Sequence, residues 1–391
     1  MTMKIGFDVS QTAEDMAGCA FFAKQIISHL LDVDTSNEYL LYPVFYNYRH
    51  PEYKKAYQSD RPNAKNYFHE VSWAKLNQLW DSSEFQRDEL LGHPDIIHSN
   101  NFCCPIDVRA KKIVTIYDMV YLDRPEFSTE ANRIVCFNGA FESSIYADHI
   151  VTISESSKQS FLKYFPHYPE ERISVIYLGS RPTLTSHLSE SVKKKVIQKF
   201  NIQDSGFWLG VGTVEPRKNY RLLLEAYAKI VREYSETRPL FIAGGKGWLE
   251  NDIQARVQEL GIQDKVNFLG YVSDEELSVL YNLCFAFVYP SHYEGFGLPV
   301  LEAMSFGAPV ITSNVTSIPE VIGDAGILMD PNSSDSLTKA MITMVQQQDQ
   351  RKKMAEKSIE QAGKFSWERA ARQTLDVYKK VMEQEPWHRS K

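Results

Sequence analysis

Glu294 and Glu302 bracket the run Gly295-Phe296-Gly297-Leu298-Pro299-Val300-Leu301, which follows an apolar, β-rich segment ending at Tyr289. Each part of that run has its own physical job. Gly295 and Gly297 let the backbone turn and approach a ligand closely, and Pro299 suits the first turn of a helix, where its missing N–H would be unpaired anyway. A helix start presents unpaired amides and the positive end of a dipole, which matches a diphosphate. Carboxylates accept paired hydroxyl hydrogen bonds, so Glu294 on the loop and Glu302 near the helix start suit sugar or ribose diols. The competing reading is that the glycines only shape a turn and Glu302 only complements the helix dipole.

A second constellation, Gly210-Val211-Gly212-Thr213-Val214-Glu215-Pro216-Arg217-Lys218-Asn219, again lies between a strand pattern and a helix pattern. Arg217 and Lys218 supply a forked donor and a point charge, which a pyrophosphate leaving group needs as negative charge grows on it. They would replace a metal ion. The plainer alternative is a pair of surface cations before an asparagine cap. Phe241-Ile242-Ala243-Gly244-Gly245-Lys246-Gly247 is a weaker signal, a strand followed by a glycine turn that places Gly244 on a cleft wall. In the first half, Gly18 opens a helix after the first strand, and Asp118 follows the strand Ile113 to Ile116. Either is equally readable as an ordinary turn or cap. The ten histidines show no H-x-x-x-H spacing, so no metal site is expected, and His98 and His149 read as strand residues.

These residues need a scaffold of alternating strands and helices. Lys4 to Val9, Tyr39 to Phe45, Asp95 to Ser99, Lys112 to Ile116, His149 to Ile153 and Ile173 to Tyr177 read as strands. A second series follows at Phe207 to Val211, Leu240 to Ala243, Val266 to Leu269, Phe285 to Tyr289, Pro309 to Thr312 and Ile327 to Met329. Helical spacing fills the gaps, with Ser154 as a cap and capping-box patterns at Ser273/Glu276 and Ser317/Glu320. The alternation predicts two Rossmann-like, doubly wound parallel-sheet α/β domains facing a cleft, residues 1–185 and 186–365, with ligands at the carboxyl ends of the strands. The polar Arg181 to Lys199 segment marks the junction, and its run Lys193 to Lys195 reads as a solvated helix face. From Ser366, Ala371, Leu375, Tyr378 and Met382 form one apolar stripe, so 366–388 should be a helix that docks on the first domain.

With 391 residues the chain has room for two cores, and 43% hydrophobic and 24% charged residues are ordinary for a globular protein. A net charge of −7 excludes a broad nucleic-acid footprint. Five cysteines without C-x-x-C spacing, no signal-peptide pattern at Met1 to Ile5 and no long apolar run predict a cytoplasmic protein, peripheral at most to the inner face of a membrane.

The Glu294 to Met304 stretch, E-G-F-G-L-P-V-L-E-A-M, resembles the E-x7-E motif of retaining family 4 glycosyltransferases of the GT-B fold. Gly212 to Asn219 resembles the branch that holds bacterial mannosyltransferases of polysaccharide and O-antigen assembly, and the likeness runs through nearly all of the second half. It implies that Glu294 touches donor-sugar hydroxyls, that Gly295, Phe296, Gly297 and Leu298 offer backbone contacts, and that Glu302 holds the ribose. It implies further that Arg217 and Lys218 bind the diphosphate and that Gly270-Tyr271-Val272 lines the base pocket through Val272. In the first half the likeness is thinner, placing Gly18, Tyr117 and Asp118 beside the donor. Members commonly carry His-Asp where this chain has Tyr117-Asp118, and often Arg at Thr213.

The function implied is hexosyl transfer, mannose from GDP-mannose first and a UDP-sugar second, to a glycan or lipid-linked glycan acceptor. No metal or other cofactor is called for, and other polysaccharide-assembly enzymes are conceivable partners. Two other classes stay open: a GT-B-shaped nucleotide-sugar epimerase, and a catalytically silent nucleotide-sugar-binding subunit, which Tyr117 keeps in view.

Overall fold

The computed structural model describes residues 2–13, 18–43, 53–72, 74, 76, 79, 81–100, 102, 104–203, 206–245, 247 and 250–387. The chain forms two compact units, Met1–Gly179 with Ser366–Lys391, and Ser180–Phe365.

In the first unit, β1 (Lys4–Asp8), β2 (Glu38–Tyr42), β3 (Ala64–Asn66), β4 (Ile96–Ser99), β5 (Lys111–Ile116), β6 (His149–Thr152) and β7 (Ile173–Val175) form a parallel sheet in the order β3-β2-β1-β4-β5-β6-β7. Strands covered on both faces carry continuous apolar runs, as Ile113, Val114 and Ile116 of β5 do. The edge strand β3 has no apolar alternation, which is why the sequence hides it. Of the expected strand Tyr39 to Phe45, Val44 and Phe45 lie outside the described residues, as do Cys103, Lys246 and Trp248. Cys19, Cys104, Cys136 and Cys284 form no disulfide.

The helix Trp367–Glu383 belongs to this unit and packs on the helix Gly18–Val33. Trp367 lies edge-on to Phe21 and Phe22, each at 6.0 Å. Its buried face is Trp367, Ala370, Ala371, Thr374, Val377, Tyr378 and Val381, so the stripe is rotated from the expected one and Met382 is 38% exposed. At 100° per residue the buried arc is centred near Thr374 and Val381, with Ala371 and Tyr378 toward one margin and Leu375 and Met382 just beyond it. Tyr378 OH bonds His98 Nδ1 at 2.8 Å, and burial holds the His98 imidazole down to about 3. Lys111 Nζ donates to the carbonyls of Val381 (2.7 Å) and Met382 (3.0 Å), where the helix dipole ends negative.

The second unit contains β8 (Trp208–Val211), β9 (Leu240–Ala243), β10 (Val266–Gly270), β11 (Ala286–Tyr289), β12 (Val310–Ser313) and β13 (Ile327–Met329), parallel in the order β10-β9-β8-β11-β12-β13. Its core gathers Trp208, Leu223, Tyr227, Val288, Ile311, Leu337 and Met341. The unit starts at Ser180, earlier than the expected 186. Thr183 hydrogen-bonds Asp274, and Thr185 N donates to Ser278 Oγ at 3.2 Å, which fastens this segment to the helix Asp274–Leu283. Of the expected capping boxes, Ser273/Glu276 forms; Ser317, in helical backbone conformation, makes no cap. Among the described residues no helix is long and apolar enough to cross a membrane, and no cluster of three potential metal ligands occurs.

Candidate functional site

In the second sheet the strand order reverses between β8 and β11, so the loops leaving these two strands diverge around a crevice at their carboxyl ends. Arg217 and Lys218 leave β8 on a single 3-10 turn, Pro216–Lys218, and Glu294 leaves β11 on the loop before the helix Leu298–Ser305. This adjacency joins segments far apart in sequence. Lys218 Nζ stands 2.7 Å from Glu294 Oε1, and Arg217 NH1 stands 2.9 Å from Oε2. Arg217 also donates through NH2 to Glu215 Oε1 at 2.7 Å and through NH1 to the Tyr293 carbonyl at 3.2 Å.

Two residues to which the sequence assigned no role, one ending the strand and one opening the loop before Glu294, complete the cluster. Tyr289 OH donates to Glu294 Oε1 at 2.8 Å and lies 2.5 Å from Lys218 Nζ, and Ser291 Oγ donates to the same carboxylate oxygen at 2.6 Å. Their positions at the carboxyl end of β11 are the signal by which they could have been found. Burial pushes the Glu294 carboxyl up, but Arg217 and Lys218 more than offset it and hold it at about 2. Burial, reinforced by Arg217, pulls the Lys218 ammonium down against the attraction of Glu294. The cluster therefore pairs two cations, Arg217 and Lys218, with the ionised Glu294 carboxylate, and Arg217 with Glu215 as well.

The backbone around Glu294 is strained on its behalf. Thr316, β-branched and at φ 47°, accepts the Glu294 amide hydrogen on Oγ1 at 3.1 Å. Ser317 Oγ donates to the Glu294 carbonyl at 2.9 Å, which is the task it performs instead of capping. Gly297 opens the helix at φ 103°, where any Cβ would sit 2.6 Å from Ile318 Cδ1. Asn219 takes a left-handed conformation and, instead of capping, donates to the carbonyls of Pro290 (3.0 Å) and Pro331 (2.9 Å). Gly244 has a packing role, because a Cβ there would lie 2.0 Å from the Gly212 carbonyl.

The remaining expected residues are dispersed. Gly295 and Phe296 are buried beside Glu294 and Leu298 is half-buried, whereas Thr213 is exposed. Val272 is buried after β10, next to Tyr271, which is 84% exposed. Glu302 sits away from the Glu294 cluster's hydrogen bonds. Its Oε1 accepts from Arg181 at 3.2 Å and its Oε2 from Tyr281 OH at 3.0 Å, and burial raises its carboxyl against the pull of Arg181.

The first sheet reverses between β1 and β4. Of the three expected residues in this unit, Gly18 starts its helix with open space around the Cβ position, and Asp118 accepts the Val120 amide at 3.0 Å. Tyr117 is buried edge-on to Phe22 (5.2 Å) and Phe102 (6.2 Å). At the crossover itself stands a group that the sequence did not reveal. Asp8, wholly buried, accepts from Ser10 Oγ (2.5 Å), Ser10 N (2.9 Å) and Gln11 Nε2 (3.2 Å), and Asn100 Nδ2 donates to its carbonyl at 2.9 Å. Burial pushes its carboxyl up to about 6.

Comparison with known proteins adds an independent line. Residues 192–361 match the family Glycosyl transferases group 1. The chain is 38% identical over 285 residues to the O-antigen chain mannosyltransferase B of Escherichia coli, covering 73% of this chain and 74% of that one. It is 27% identical over 305 residues to the serotype-specific mannosyltransferase WbdA of Escherichia coli, covering 74% of this chain but only 37% of that longer one. Among solved structures, Anabaena Alr3699/HepE in complex with UDP and glucose superposes with a TM-score of 0.69 at 18% identity, over 97% of this chain and 100% of that one. The two parallel-sheet units thus have the GT-B fold.

Proposed function

Because the chain belongs to the group 1 glycosyl transferases, we propose that it transfers mannose from GDP-mannose, with retained anomeric configuration, to a glycan or lipid-linked glycan acceptor in cell-surface polysaccharide assembly. The observation that carries this is the convergence of Arg217, Lys218 and Glu294 at the crossover of the second sheet. Arg217 and Lys218 pair with Glu294, and Arg217 with Glu215 as well. A diphosphate takes over Arg217 and Lys218, and Glu294, still held by Tyr289 and Ser291, turns its released lone pairs to donor-sugar hydroxyls.

The bond from the sugar C1 to the diphosphate oxygen breaks, the acceptor oxygen bonds to C1 on the same face, and the acceptor's proton passes to the departing diphosphate. Stabilising that leaving group is the larger part of the task, and two fixed cations meet it without a metal. Glu302 takes the ribose, and Val272 the base. The acceptor belongs to the first unit. Exposed Ile134, Val135, Phe137 and Phe141 on its helix Glu130–Tyr146 support peripheral contact with the cytoplasmic face of a membrane.

A second reading, a nucleotide-sugar-binding subunit without turnover, is favoured by one observation: Tyr117 fills a core position where members commonly carry histidine. Thermal-shift titration with GDP, UDP, ADP and their sugar conjugates tests the donor, since a ligand bound only by the folded state raises its melting temperature. Shifts with GDP and GDP-mannose alone are expected. Absence of any shift removes the donor assignment, and a shift without turnover on any acceptor selects the silent subunit.

A further inference from the structure

Glu302 is fastened to the first residues of its own unit. Arg181 donates through Nε to Glu302 Oε1 at 3.2 Å and through NH1 to Asp274 Oδ1 at 2.7 Å. Asp274 is anchored in turn: its other oxygen accepts from Thr183 Oγ1, and it opens a helix that Ser273 caps. On the far side of Glu302, Tyr281 OH donates to Oε2 at 3.0 Å. An ionised carboxylate offers about four lone-pair sites, two on each oxygen. Arg181 and Tyr281 use one on each, which leaves each oxygen with one further acceptor site.

We propose that Arg181 is a positioning residue for the donor's ribose: it fixes Glu302 as a carboxylate with one acceptor site on each oxygen directed to the 2′ and 3′ hydroxyls. This rests on the donor role proposed above for Glu302. The guanidinium is what makes the arrangement work at neutral pH. Glu302 is 2% exposed, and burial alone favours its protonated form, in which one oxygen becomes a donor and one diol contact is lost. Lysine would supply the charge but not the forked geometry that reaches Glu302 and Asp274 together.

The test is calorimetric titration of the whole chain with GDP and with 2′,3′-dideoxy-GDP, and with the corresponding uridine pair, followed by the same titrations of Arg181→Met and Arg181→Lys. The wild type should bind the dideoxy nucleotide about 10- to 100-fold more weakly, the loss of hydrogen bonds to a charged group. Arg181→Met should close most of that gap by weakening the ribose nucleotide alone, and Arg181→Lys should keep part of it. Loss of the guanidinium raises the Glu302 carboxyl further, so in Arg181→Met the gap should reopen only at a higher pH than in the wild type.

Equal weakening of both nucleotides by Arg181→Met overturns the proposal and leaves the donor site standing, with Arg181 merely fastening 181–185 to the neighbouring helix. A gap that survives Glu302→Gln, a wild type without a gap, or one that binds neither series overturns the donor role of Glu302 and the positioning role with it. Should Arg181→Met not fold, Asp274→Asn is read in the same way: a narrowed gap supports the role of Arg181, and equal weakening overturns it.

Discussion

The crossovers of the two sheets each hold one buried acid, and the two acids are shifted in opposite directions. Burial raises both. Glu294 meets Arg217 and Lys218 and falls to about 2; Asp8 meets only neutral donors, from Ser10, Gln11 and Asn100, and stands at about 6. Neutral hydrogen bonds soften a desolvation penalty, but only a nearby opposite charge reverses it. The second unit thereby keeps a preset array of charge suited to an anionic ligand, and the first keeps an uncharged crossover at acidic pH.

The largest expected effect comes from breaking the charged side of this contrast. Lys218→Met leaves a buried carboxylate with one cation fewer, and should cost about 3 kcal/mol in urea unfolding. The same variant should lower donor turnover by about 100-fold or more, as removal of a charge-stabilising donor does. Unchanged turnover would mean that the cluster is architectural. A smaller effect should follow from Tyr289→Phe, which keeps both cations but deletes the hydroxyl shared by Lys218 and Glu294. About 1 kcal/mol of stability should be lost, with donor KM rising more than kcat falls.

A third test sharpens the sign of the difference. Asp8, raised from its ordinary 3.8 to about 6, contributes stability that is full below 3.8 and is lost as pH rises through about 6. Glu294, lowered from 4.5 to about 2, contributes stability that is full above 4.5 and is lost as pH falls through about 2. Melting temperatures measured from pH 4 to pH 7 should therefore show a loss assignable to Asp8, and Asp8→Asn should flatten it. A slope that persists in the variant would place the titration elsewhere.

Much of the scaffold was legible in the sequence because its determinants are local. Apolar runs such as Ala286 to Tyr289 and caps such as Ser154 act within a few residues. The edge strand β3 was not legible, since Ala64, Lys65 and Asn66 lack any apolar pattern. In the site, Glu294, Arg217 and Lys218 stood out by type and by their place after strands. Tyr289 and Ser291 did not, because a tyrosine ending a strand and a serine in a loop are ordinary until a carboxylate is found beside them.

The same division separates what the sequence determined by itself from what required the tertiary structure. Residue order specified two alternating α/β series, a glycine-flanked helix start at Gly297 and a cationic turn at Arg217-Lys218, all products of short-range conformational preference. Only the folded second sheet, by setting β8 beside β11, decided that Lys218 and Glu294 would share a hydrogen bond across 76 positions of chain. Only the packing of residues 181–185 decided that Arg181 would face Glu302. Charge pairing at that separation is fixed by strand order and burial, and neither is a property of any short stretch of sequence.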